Sequence, residues 1–419
     1  MRIILPYGLK KVEFELEELK LLKIITPADV KPYESSDKEI VRSINEPIGR
    51  DKLSSIIGAK KKVAIACDDI TRLTPNEVVL KPLLKEIRSY GVKKEDITLF
   101  IALGTHRDMN EQEIVQKFGK EIAEEYNIVN HNFKDLNKLE FFGYATEYLP
   151  VWINKPYLKH DVRIAIGGII PHANAGWGAG GKTLLPGLAG EETVGKLHVH
   201  SAYTTPNALG LIENPTRHLI NAYCEKINLE FIVNVVYNRD KQIVKSFAGH
   251  FVKAHREGIK ESKKVYGVKI AEKSDITIVS SYPADIEFWQ AWKGIASADL
   301  ATKEGGGIVL ITPCPEGIAV MHEDWADYLS YKPSEIKKMI ENKEVEDYVA
   351  AGLALSVATM INRHKVFVIS DGLSYKDAEK IGLKKYSSVE EAILDMKRIY
   401  GDDSKVHIMT HGGDTLPLI

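Results

Sequence analysis

The chain has 419 residues, 44% hydrophobic and 27% charged, with a net charge of −2, the composition of a globular protein of two or three domains. So small a net charge excludes the global basic field that holds nucleic acid or an anionic membrane surface, and no apolar run approaches the roughly 18 residues that span a bilayer. The three widely spaced cysteines, Cys67, Cys224 and Cys314, form neither a disulfide framework nor a thiolate zinc site. The N-terminal segment turns charged at once, without an apolar signal core. A reduced, cytoplasmic protein with no nucleic-acid or membrane partner is expected.

In chain order, KKVAIACDD (61–69) reads as a buried strand. Residues 74–91 read as a helix, with Thr74 as N-cap, Pro75 at the first position, Glu77 closing a capping box and Gly91 as the stop. A second strand (96–103) precedes a helix that opens on the capping box Asn110 and Glu113. Strand, helix and strand at this length make a parallel βαβ unit. A strand at 162–170, a hairpin turning at Asn238 to Lys241 and a helix at about 250–266 follow, and the charged run 260–275 marks a boundary. Beyond it come strands at 275–281, 307–312, 365–370 and 405–410, with helices near 289–303, 333–341, 344–363 and 388–399 between them. The expected fold is α/β: two Rossmann-like domains, 1–268 and 269–403, with 404–419 returning to the first and the site in the cleft between them.

Ligands of open α/β sheets lie beyond the carboxyl ends of the strands. Two consecutive loops leave such ends: DDITRLTP, with Asp68, Asp69 and Arg72, and GTHRDMN, with His106 and Arg107. A guanidinium fork suits a carboxylate or phosphate, and an imidazole there can act as acid or base.

HANAGWGAGGKTLLPGLAG (172–190) matches the phosphate-cradling spelling G-x-x-x-x-G-K-T at Gly176 to Thr183. That motif needs a helix starting at Lys182-Thr183, and Pro186 would break its first turns. What remains is a glycine loop that lets backbone approach a ligand, ending on a lysine that becomes a nucleophile if its pKa is depressed. His172, His198 and His200 lie nearby. Placed on a strand, His198 and His200 would face opposite ways, so at most one enters a site, and no zinc motif accompanies them. In EFWQAWKG, Gln290 and Lys293 share a helix face beside Trp289 and Trp292.

Together DITR (69–72), GTH (104–106), PH (171–172), GGKTLLPG (180–187), His198 and QAWK (290–293) resemble the nickel-pincer-dependent lactate racemase family along nearly the whole chain, in the same order. The resemblance implies that Lys182 is joined covalently to a pyridinium-3,5-bisthiocarboxylate mononucleotide carrying nickel. It makes His198 the protein ligand of the metal and His106 and His172 the acid/base pair. Arg72, Gln290 and Lys293 would hold a 2-hydroxy acid, with Trp289 beside it, and Asp69, Ile70, Thr71 and Arg72 would also meet the cofactor. It further implies hydride removal from C2 and return to either face, and cofactor-building proteins for maturation. Trp289 stands where lactate-using members would carry tyrosine, so a 2-hydroxy acid is expected, lactate by default. The rival expectations are a P-loop phosphotransferase, a cofactor-free two-base racemase and a non-catalytic anion-binding module.

Overall fold

The computed structural model describes residues 1–16, 19–58 and 61–419. Among them, two six-stranded sheets organise the chain. The first runs Ile243–Gly249, Phe231–Tyr237, Val162–Gly168, Val63–Asp68, Ile97–Ala102, Asn127–Asn130, parallel except for the hairpin strand at its edge. The second runs Lys384–Lys385, Lys365–Ile369, Thr302–Ile311, Ser274–Ser280, Lys405–Met409, Lys20–Ile25, parallel throughout. Helices cover both faces of such sheets, which is why strands such as Val63–Asp68 are apolar almost without alternation and buried over their first five residues.

The chain passes from one sheet to the other between Tyr266, where a helix from Lys253 ends, and Ser274. Two expectations about the ends are corrected. Lys405–Met409 does not return to the first sheet; its apolar residues are sandwiched between Ser274–Ser280 and Lys20–Ile25 in the second. Only Leu416–Leu418 reaches back, pairing with Gly267–Lys269. The N-terminal segment likewise sides with the second sheet, where Ile3, Leu5 and Phe14 pack with Ile276, Val309 and Phe367.

Two local expectations also change. The helix Asn76–Ser89 follows Pro75 with no side-chain cap. Thr74 instead donates to Asp68 Oδ2 at 2.6 Å and accepts from Gly168 N–H at 2.9 Å, and Glu77 pairs with Lys81. The helix opened by Asn110 and Glu113, whose capping box forms in full, is interrupted at Gly119, so Glu111–Phe118 and Lys120–Glu125 are separate.

Two features of the fold position the site. Connections from Val63–Asp68 and Val162–Gly168 leave in opposite directions across the first sheet, which opens a crevice at their carboxyl ends; Thr74 ties those two ends together. The helix Glu191–Thr204, which carries His198, also packs on Tyr348–Ile361 from the second half. The crossing is tight because glycines face it. A Cβ on Gly352 would lie 2.6 Å from Val199 N, and one on Gly195 would lie 2.9 Å from Tyr348 Cβ. Gly352→Ala is therefore expected to destabilise by about 1–3 kcal/mol through overpacking against backbone, measured by denaturant unfolding; an unchanged midpoint would show that the crossing relaxes freely.

Candidate active site

Loops from both sheets enclose a cavity with an empty volume of about 830 Å³. Asp69 and Arg72 enter after Val63–Asp68, His106 after Ile97–Ala102, and His172 after Val162–Gly168. Lys182 and His198 enter from the glycine loop and the helix beyond it. Trp289, Trp292, Gln290 and Lys293 enter from the first turns of the helix Phe288–Ala301, whose N-terminus adds positive potential. The cavity thus gathers every expected site residue except two. Ile70 and Thr71 border a second, larger cleft of about 1530 Å³ between their loop and the second sheet. Thr71 still acts on the site, donating to Asp69 Oδ1 at 2.7 Å.

One amide joins the two halves. Gln290 Oε1 accepts from Arg72 Nη1 at 3.1 Å and from Lys293 Nζ, while its Nε2 faces His106 Nε2 at 2.9 Å. An oxygen held by two N–H donors turns the NH2 toward the imidazole, so His106 Nε2 accepts and its proton sits on Nδ1; burial and the neighbouring Arg72 push the Lys293 amine well below its ordinary value. Through its proton His106 Nδ1 donates to Asp69 Oδ2, 2.6 Å away. Burial alone would raise the Asp69 carboxyl, but His106, Arg72 and the Thr71 hydroxyl outweigh it and hold Asp69 well below the usual carboxylate range. The other histidine is arranged the opposite way. His172 Nδ1 accepts from Asn174 N–H at 3.2 Å, which leaves the proton of the neutral ring on Nε2. Burial, then the charges of Lys182, Lys293 and Arg72, keep His172 well below its ordinary value.

Lys182 closes the 3₁₀ turn Gly180–Thr183. No α-helix starts there; the next begins at Glu191, and Leu185–Pro186 is cis. The phosphate-loop spelling therefore lacks the helix N-terminus that would bind phosphate. Two of its glycines are also required by close packing behind the loop. A Cβ on Gly180 would meet the His255 ring at 2.9 Å, and one on Gly181 the Cys224 Sγ at 2.6 Å. They let the loop sink onto its own support. There buried Arg217 donates to the carbonyls of Ala175, Trp177 and Ala179, His255 Nε2 donates to Gly178 O at 2.7 Å, and Asn234 Oδ1 accepts from Gly180 N–H at 2.9 Å. Lys182 Nζ makes no hydrogen bond among the described residues, and burial together with nearby Arg72 pushes its amine down to about 7.

His198 and His200 lie on a helix rather than a strand; two residues apart they still diverge, by about 200°. His198 lines the cavity with Nδ1 at 3.3 Å from Val349 O, and burial pushes it down to about 4. His200 packs against the Tyr148 ring, with 5.6 Å between centroids. Trp289 is stacked on His322 at 4.3 Å and meets Trp325 edge-on at 4.9 Å, and His322 is held in turn by Asp347 at 2.6 Å. No sequence pattern ties His322, Arg217, Asn234 or His255 to the site, because each reaches it through tertiary packing. Lys117 is a similar case, buried behind the loop and donating to Arg72 O and to Thr74 O at 2.9 Å.

Two α/β halves close three histidines, two lysines and an arginine over one cavity, in a chain of the racemase class of isomerases. Residues 7–210 match the lactate racemase N-terminal domain and residues 268–415 the lactate racemase C-terminal domain; the chain belongs to the lactate racemase family. It is 31% identical over 97% of both lengths to lactate racemase of Thermoanaerobacterium thermosaccharolyticum, and 31% identical over 75% of both to that of Lactiplantibacillus plantarum. The structure of the Thermoanaerobacterium thermosaccharolyticum lactate racemase apoprotein superposes with a TM-score of 0.89 at 28% identity, covering all of both chains. A Thermotoga maritima protein shares the fold at a TM-score of 0.72 and 20% identity, over 93% of this chain and all of that one.

If burial depresses Lys182 as described, its amine in the apoprotein should react with an acylating reagent with a midpoint near 7. Surface lysines would follow their usual midpoint near 10.4. Peptide mapping of the labelled protein across pH reads this, and a Lys182 midpoint at the surface value would refute it.

Proposed function

We propose that the protein racemises a small 2-hydroxy acid, lactate by default, and that Lys182 carries a nickel-pincer nucleotide covalently for this purpose. The observation that supports it most is the convergence of His106, His172, Lys182, His198, Arg72, Gln290 and Lys293 on one cavity. The residues present fit such a group. Lys182 offers an amine that makes no hydrogen bond among the described residues and is lowered to about 7, and burial keeps His198 neutral, the form that ligates a metal. Nickel(II) suits one imidazole among soft sulfur donors. Lys182 would be the covalent anchor and His198 the metal ligand, with Asp69 to Arg72 alongside. When bound, the group supplies a reversible hydride acceptor for C2.

The chain's own residues do the rest. Arg72 and Lys293 take the carboxylate in place of the Gln290 oxygen, and the same displacement frees His106 Nε2 to accept the C2-hydroxyl proton. Asp69 holds His106 in the tautomer that can do so. His172 stands ready with its proton on Nε2 and serves the mirror enantiomer after exchanging tautomers. A racemase needs such a pair because it must handle the hydroxyl of a substrate presented either way round. Trp289, fixed by His322 and Trp325, walls the substrate in and brings no hydroxyl of its own.

Protein made together with cofactor-building proteins should show a mass adduct on Lys182 that Lys182→Ala abolishes; full racemase activity at unmodified mass would refute the covalent anchor. A C2-deuterated substrate racemised in H2O should keep its label, whereas wash-out would favour α-proton abstraction by the two histidines. Asp69→Asn should lower kcat by about 10²–10⁴-fold with little change in KM, read from steady-state kinetics of the holoenzyme; an equal rise in KM would make Asp69 a binding residue instead.

A further inference from the structure

The loop that carries His106 carries a second charged group that the chemistry above leaves unused. Arg107, the next residue, reaches across the cleft. Its Nη2 donates to Glu316 Oε1 at 2.7 Å and its Nε to Glu316 Oε2 at 3.3 Å. On its own side it is braced by Glu113, with Nη1 on Oε2 at 2.9 Å and Nη2 on Oε1 at 2.8 Å. Glu113 is itself fixed as the closing residue of the Asn110 capping box. The fork is therefore preset before it meets Glu316.

Glu316 belongs to the second half, in the loop after Thr302–Ile311. That loop caps the helix bearing the substrate-facing residues. Gly317 O accepts from Phe288 N–H at 2.9 Å, Ile318 O accepts from Trp289 N–H at 2.8 Å, and Val320 N–H donates back to Glu287 Oε2 at 2.9 Å. The ion pair thus joins the residue after His106 to the backbone that fixes the two residues before Gln290. Arg107 and Glu316 keep side-chain exposures of only 29% and 27%, so solvent screening weakens the pair less than it would a surface pair.

We propose that Arg107 and Glu316 are a positioning pair, a clasp across the cleft that sets the distance between His106 and Gln290 and holds the two halves closed over the substrate. Neither touches the reacting atoms; both act through the loop and helix they tie together. This rests on the racemase reading for its kinetic consequence but not for its structural one.

The test is a double-mutant cycle of Arg107→Met, Glu316→Ala and the pair, with Glu316→Gln as a milder form. In the holoenzyme each single change should raise KM for the hydroxy acid by about five- to tenfold with a smaller effect on kcat, and the double change should raise it no further. In the apoprotein the same variants should speed amide hydrogen exchange in 104–108 and 316–320 by a similar factor. That measurement needs neither cofactor nor substrate, so it stands even if the hydride chemistry fails. Exchange at the wild-type rate in Glu316→Gln and Glu316→Ala would overturn the clasp. So would KM effects that simply multiply in the double variant, since each residue would then act alone.

Discussion

The Gln290 carboxamide is the point on which the site depends. Its oxygen is shared by Arg72 and Lys293 and its NH2 is given to His106, so one planar group satisfies a guanidinium and a buried amine from different halves of the molecule and fixes the tautomer of an imidazole. Buried cations without acceptors are costly, and without ligand this amide stands in for one. A 2-hydroxy acid offers the same pattern, an oxygen anion beside a hydroxyl donor. Binding as proposed would exchange one satisfied network for another rather than create charges that must first be desolvated.

Much of this was legible in the residues. Parallel strands buried on both faces leave long apolar runs, so the central strands of both sheets could be read directly, and the loops at their carboxyl ends fell where Asp69, Arg72 and His106 lie. Helical spacing put Gln290 and Lys293 on one face, and they hydrogen-bond to each other. The misreadings have physical causes. HVH alternates apolar and polar like a strand, but it sits in a helix whose packing partner, Tyr348–Ile361, lies about 150 residues away in sequence. Thr74 is spelled as a helix cap, yet the Gly168 N–H takes the acceptor that capping needs while its O–H turns to Asp68. Strand Lys405–Met409 carries no mark of which sheet it joins, because its apolar run reads like the central strands of either sheet.

The glycine loop shows how spelling and structure part company. Gly180 and Gly181 are demanded by contacts behind the loop, with His255 and Cys224. The sequence pattern counts glycines, whereas the chemistry depends on which side of the backbone is crowded. In a phosphate loop the open side faces the nucleotide; here the crowded side faces the core, and the lysine at the end is delivered to the cavity by that crowding.

Arg217 gives the loop a property that no neutral donor would. A guanidinium lowered only to about 10 by burial stays charged at neutral pH, while the Lys182 amine of the apoprotein, at about 7, is partly neutral there. The loop therefore contains one permanent charge and one switchable one, close enough for the first to bias the second. Scaffold and reagent answer to different conditions, although they occupy the same short segment of chain.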